Sequence, residues 1–115
     1  MMRTVKLELA RCHEFPEGSA LRGYELHLPL RSDGKIDHDS WPRYKYNSDF
    51  RRFWDGEQER GRIKHGSNGW KLSFAGNEPE EVIFRADNHR FLTGEYVSIT
   101  ERDGISRTFR VASVH

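Results

Sequence analysis

Cysteine, long apolar runs and net charge are all nearly absent from this chain of 115 residues. The single cysteine, Cys12, cannot form an internal disulfide, and the N-terminus alternates polar with apolar residues, so we expect a cytoplasmic protein. No apolar run approaches the ~20 residues that a membrane-spanning helix needs, which predicts no membrane partner. The formal net charge of +1 provides no global field toward nucleic acid, so any such binding must be local.

Apolar residues are few, and large rings compensate for them. Hydrophobic residues make up 35% of the chain and charged residues 32%, but there are three tryptophans, four tyrosines and seven phenylalanines. Rings of this size can fill a core that aliphatic residues alone would leave incomplete. The length fits one domain, and we expect residues 1–115 to form a single β-rich unit.

The hydrophobic pattern predicts an all-β protein, or a mainly β protein with one short helix. Segments with a period of two recur every 8–12 residues or so, and no βαβ unit interrupts them. We count about eight short antiparallel strands, which would form a small barrel or a two-sheet sandwich. Residues 37–46 offer capping side chains and Pro42 but little helical period, which predicts a short helix or a turn.

The segment from Glu95 to Val114 predicts the final β-hairpin with a defined register. A three-residue loop at 102–104, with Gly104 in the left-handed conformation, pairs Val97 with Phe109 and places apolar residues on one face. The same register pairs Ile99 with Arg107. On the opposite, polar face it pairs Tyr96 with Arg110, Ser98 with Thr108, and Thr100 with Ser106.

Two other turns carry the same kind of signal. The loop 32–34 contains Asp-Gly and predicts Leu30 opposite Ile36. The dipeptide Asn68-Gly69 predicts a two-residue turn that pairs Ser67 with Trp70 and Ile63 with Phe74.

Residues 81–86 predict a further strand. Val82 and Phe84 alternate there with Glu81, Ile83 and Arg85. The glutamates of this region, Glu78, Glu80 and Glu81, are expected to be solvated, without the raised pKa that a general acid requires.

A stretch of alternating cations and rings is the most distinctive feature for function. It runs from Trp41 to Trp54 and continues through Arg60, Arg62 and Lys64. Such residues can stack bases and bind phosphates, although rings in a protein poor in aliphatics also serve as core. The candidate binding residues are Tyr44, Tyr46, Arg51, Arg52 and Trp54 from this stretch, with Tyr96 and Arg110 from the final hairpin.

Three functions follow as hypotheses. The first is a binding or interaction module for a protein or a small ligand, with no chemistry of its own and no cofactor. The second is a binder of single-stranded nucleic acid that uses the basic and aromatic residues.

The third hypothesis is a metal-dependent enzyme, although no histidine stands in a metal-binding spacing. Such a site would have to assemble in space from Asp37, His38, Asp39, Asp87, His89 or Glu95. The sequence therefore predicts no metal ligand and no catalytic residue. The oligomeric state is open, and exposed edge strands with three tryptophans make a homodimer reasonable.

Overall fold

The computed structural model describes residues 1–67, 69–76 and 79–115, and it shows a closed antiparallel β-barrel. Eight strands follow one another around the barrel in chain order, and the last strand pairs with the first. They are β1 (Met2–Leu9), β2 (Ser19–Pro29), β3 (Asp49–Trp54), β4 (Glu57–Gly66), β5 (Gly69–Phe74), β6 (Glu81–Ile83), β7 (Tyr96–Thr100) and β8 (Ser106–Val114). The all-β prediction is confirmed, and of its two architectures the protein adopts the barrel.

Alternate residues of each strand fill the interior, as the period of two requires. The largest buried side chains are Trp70, Tyr24, Phe91 and Phe109, so the rings do compensate for the scarcity of aliphatic residues. Pairs of rings pack edge to face, including Phe50 on Phe74 at 5.0 Å between centroids. The first two strands contribute five of the buried aliphatic residues: Val5, Leu7, Leu9, Leu26 and Leu28.

The final hairpin has the predicted register. Val97 pairs with Phe109, Ile99 with Arg107, and Tyr96 with Arg110. The loop at 102–104 is closed by two backbone hydrogen bonds between Glu101, Gly104 and Ile105, and Gly104 has φ +82°. The predicted pairing of Leu30 with Ile36 is also confirmed.

The register predicted between β4 and β5 is wrong by two residues. Gly66 pairs with Gly69 and Ile63 with Leu72, whereas the turn prediction paired Ser67 with Trp70. A shift of two preserves the inward face, because strand side chains alternate with that period. Asn68, on which the predicted turn depends, lies outside the described residues.

The faces predicted for β6 are also wrong. Glu81 and Ile83 are buried, whereas Val82 is only half-buried and Phe84 is 51% exposed. Glu81 is therefore not solvated, and its inward position is maintained by a hydrogen bond with the Tyr24 hydroxyl and by one from the backbone N–H of Arg102. Polar partners inside the barrel decided the orientation of this strand, and the apolar pattern alone did not reveal them.

The segment between β2 and β3 forms the predicted short helix, α1 (Trp41–Tyr44), followed by a single 3₁₀ turn at Lys45–Asn47. Trp41 packs edge to face on Trp70 at 4.6 Å, which holds the helix against one end of the barrel. Within the described ranges, no helix has the length and apolar character required to cross a bilayer.

Each strand has a neighbour on both sides in the closed barrel. The edge strands on which the homodimer expectation partly rested are therefore paired within this chain.

Two glycines provide a direct test of strand packing. A Cβ added at Gly23 would lie 1.9 Å from the carbonyl oxygen of Leu7, whereas one added at Gly66 would meet nothing within 4 Å. We expect Gly23→Ala to lower the free energy of unfolding by about 2 kcal/mol or more, because β1 and β2 must separate. Gly66→Ala should change it by less than about 0.5 kcal/mol. Urea unfolding followed by tryptophan fluorescence measures both, and equal effects would contradict the packing described.

Candidate functional site

A network of polar side chains occupies one end of the barrel interior. The hydroxyl of Tyr24, on β2, lies 2.5 Å from Oε1 of Glu81 on β6 and also contacts Oε2 of Glu101, the residue after β7. All three side chains are buried. The second oxygen of Glu81 accepts a hydrogen bond from the backbone N–H of Arg102 at 3.0 Å.

Two arginines compensate the charge of Glu101. Arg107 Nη1 donates to Oε1 at 2.8 Å, and Arg52 Nε donates to Oε2 at 3.0 Å. Arg107 also binds Glu14 and Asp103, so this inward-facing cation has several carboxylate partners. Surrounding carboxylates raise the pKa of both guanidinium groups despite their burial.

The proton count of the network favours Glu81 as its neutral acid. One hydroxyl proton cannot serve both carboxylates, so a second proton must lie in one of the two contacts with Tyr24. Two guanidinium groups contact Glu101, whereas among the described residues no side-chain cation is hydrogen-bonded to Glu81, so the second proton is expected on Glu81. Burial raises the pKa of Glu81 above its usual value, and its hydrogen bonds with Tyr24 and Arg102 offset this only in part. With the second proton on Glu81, its carboxyl would donate to Tyr24, and Tyr24 would donate to Glu101.

Two of the predicted binding residues belong to this interior network. Arg52 points inward toward Glu101, and Trp54 lies with its ring 4.2 Å from the Arg52 guanidinium. Trp54 is half-buried and also packs against Phe15. Both residues therefore help to close the end of the barrel.

A basic groove lies on the outer face of β4. It has a volume of about 450 Å³, and its lining includes Tyr46, Asp49, Arg60, Arg62 and Lys64. A second cavity of about 280 Å³ adjoins it and shares Tyr46, Arg62 and Lys64. We call these two cavities together the β4 groove. Tyr46 is 75% exposed, so its ring is available to a ligand.

Like charges oppose one another on both sides of this groove. Arg60 pairs across the sheet with Arg51, and Lys64 pairs with Lys71. Such pairs destabilise a sheet unless other groups neutralise them. Glu25 compensates Arg51 at 2.9 Å and Glu80 compensates Lys71 at 3.7 Å, but within the described part of the chain no carboxylate is paired with Arg60 or Lys64. The β4 groove therefore contains two cations, Arg60 and Lys64, without an ion pair among the described residues.

The remaining predicted residues lie in three places. Tyr44 is half-buried in α1, and Arg51 lies on the outer face of β3 in its ion pair with Glu25. Tyr96 and Arg110 oppose each other in a separate groove of about 670 Å³, which also contains Arg11, Glu8 and Glu17. Acidic and basic groups are mixed there.

Comparison with known proteins adds nothing to this geometry. No family model, curated protein or solved structure matches the chain. Function is therefore inferred from the chemistry of the two grooves and the interior network.

Histidines gather at the opposite end of the barrel from the polar network. His38 Nε2 lies 2.6 Å from Oδ1 of Asp87, and the indole N–H of Trp70 donates to the same oxygen at 2.7 Å. Burial would raise the pKa of Asp87, but these two hydrogen bonds outweigh it and lower that pKa. His65 stacks on Trp70 at 4.3 Å.

Of the residues considered for a metal site, the structure joins His38 to Asp87. Across residues 1–67, 69–76 and 79–115, no three histidine, cysteine or acidic side chains are placed to bind a metal ion together.

The proton assignment predicts opposite behaviour for the two buried glutamates. Near neutral pH, Glu81→Gln should leave the free energy of unfolding nearly unchanged, because the amide replaces a neutral acid and keeps both hydrogen bonds. Glu101→Gln should lower it by about 3–5 kcal/mol, because Arg52 and Arg107 lose a buried counter-ion. Urea unfolding of both variants tests the assignment, and equal losses would contradict it.

The same proton assignment predicts that the stability of the protein depends on pH. Because the folded state raises the pKa of Glu81, the folded protein holds a proton that the unfolded chain releases. The contribution of this group to stability is complete below the ordinary carboxyl pKa and falls as pH rises through the raised value. As pH rises over that window, we expect the free energy of unfolding of the wild type to fall relative to that of Glu81→Gln. A difference that does not depend on pH would contradict the raised pKa.

Proposed function

We propose that the protein is a binding module, with no chemistry of its own, and that it binds an anionic ligand in the β4 groove. The observation that carries the proposal is the pair of uncompensated cations, Arg60 and Lys64, beside the exposed ring of Tyr46. Arg60 and Lys64 each lie opposite another cation, and an anion bound to them would neutralise the charge that the ion pairs of Arg51 and Lys71 leave in place.

The polar network supports a structural role for the barrel interior. Its carboxylates and guanidinium groups contact one another, and Tyr24, Glu81 and Glu101 are removed from solvent. Groups that satisfy one another in this way hold strands together and present no open position to a substrate. We therefore assign binding to the outer face of the barrel.

The groove containing Tyr96 and Arg110 is the competing surface. It is larger than either cavity of the β4 groove, but Glu8 and Glu17 offset its cations Arg11 and Arg110. Because charged groups of both signs line this groove, we expect an anion to bind there more weakly.

Inorganic polyphosphate, which carries charge without rings or a peptide backbone, is the probe for this proposal. Arg60→Gln combined with Lys64→Gln should weaken its binding at least about tenfold, because each charge-assisted hydrogen bond contributes about 1.5–3 kcal/mol. Isothermal titration calorimetry at low salt measures the dissociation constant.

A matched control removes two positive charges elsewhere. Arg3→Gln combined with Arg90→Gln has the same effect on net charge, and both residues are exposed and outside the β4 groove. The control should bind polyphosphate as the wild type does. The proposal is wrong if the wild type does not bind, if both double variants lose binding equally, or if only Arg11→Gln combined with Arg110→Gln loses it.

A further inference from the structure

We infer that the anionic ligand of the β4 groove is a single strand of nucleic acid, bound along β4 with a base against Tyr46. This inference rests on the proposed function and names the chemical class of its ligand. It is supported by the spacing of the cations, the exposure of one ring and the shape of the groove.

The cations of the groove form a regular row. Arg60, Arg62 and Lys64 are alternate residues of one strand, so they share a face and follow one another at intervals of about 6.7 Å. A polynucleotide backbone presents its phosphates at regular intervals too, and single-strand binders track it with a basic groove. An isolated anion would use only one or two positions of such a row.

Tyr46 favours bases over other anionic groups. Its side chain projects beside the row, in the 3₁₀ turn that precedes β3, and its ring lines both cavities. The ammonium group of Lys45 lies 5.1 Å from the ring centroid, so a cation accompanies the ring. A base can stack on an exposed tyrosine whatever its sequence, because every base has a flat face.

The same ring favours a single strand over a duplex. Bases in a duplex are stacked on one another and present only their edges, so their faces cannot reach a side chain. An unpaired strand can place its phosphates on the cations and turn a base toward Tyr46.

Asp49 limits how much charge the row offers. It lines the groove and pairs across the sheet with Arg62, whose Nη1 also donates to the backbone oxygen of Tyr46 at 2.9 Å. Arg62 therefore holds the ring segment in place as well as contributing charge. Arg60 and Lys64, on either side of it, should provide most of the phosphate binding.

A short labelled oligothymidine tests the inference by fluorescence anisotropy. With three phosphate contacts, the slope of log K against log salt concentration should be about −2, and in Arg60→Gln with Lys64→Gln it should fall to about −0.7. A duplex of similar length, formed by a self-complementary oligonucleotide, should bind at least about tenfold more weakly than oligothymidine, because its paired bases cannot stack on Tyr46.

Substitutions of Tyr46 measure the contribution of stacking to binding separately from the contribution of charge. Tyr46→Ala should weaken oligothymidine binding about tenfold, which corresponds to ~1.4 kcal/mol of stacking, and leave polyphosphate binding unchanged. Tyr46→Phe keeps the ring and should bind oligothymidine as the wild type does. An oligomer of the same length without bases should bind the wild type only as tightly as oligothymidine binds Tyr46→Ala.

Failure of this inference can be told apart from failure of the proposed function. If polyphosphate, the oligomer without bases and oligothymidine all bind equally and Tyr46→Ala has no effect, the groove binds anions but not single strands in particular. Tighter binding of the duplex would also overturn the inference. If none of these probes binds, both proposals are wrong.

Discussion

The hydrogen bonds of the Tyr24 hydroxyl connect strands that are not neighbours in the barrel, and the position of the short strand β6 depends on them. Through this one oxygen, β2 is joined to β6 and to the turn between β7 and β8. The connection matters because β6 has only three residues and little ladder of its own. Arg52 and Arg107 join β3 and β8 to Glu101, so a few polar contacts hold several strands together near the short strand β6. Buried networks of this kind are favourable only when every member is satisfied, and for this reason we assign a proton to Glu81.

A barrel filled and closed in this way leaves its outer face for binding. Inward positions are used by rings, aliphatic side chains and the polar network, whereas outward positions of β3, β4 and β5 carry a local excess of positive charge in a protein with a net charge of only +1. Opposing cations lower the stability of a sheet, and their concentration around one exposed tyrosine is therefore more informative than the total charge. The interior network thus maintains the shape of the barrel, and the β4 groove provides the binding surface that we propose.

Sequence patterns predicted the strands well because the alternation of side chains follows directly from strand geometry. The final hairpin was predicted to the residue, since only one loop length aligned Val97 with Phe109. Sequence patterns failed to predict the position of a side chain where its partners are distant in the sequence. Glu81 was expected in solvent, but Tyr24 is 57 residues away in the chain and leaves no local signal. Arg52 and Trp54 were grouped with Tyr46 because they are near it in sequence, although they belong to the interior network and Tyr46 lines the outer groove. The one available clue to the network was Arg107, which the hairpin register placed opposite Ile99 on the inner face.

The protonation state of Glu81 is the most direct test of this account. Carbon-13 NMR of the side-chain carboxyl groups, with Glu81 assigned from its glutamine variant, follows the titration of this residue in the folded protein. We predict that the Glu81 carboxyl ionises at a higher pH than the exposed glutamates, because burial raises its pKa. A Glu81 carboxyl that ionises together with the exposed glutamates would contradict the proton assignment and the role given to the network.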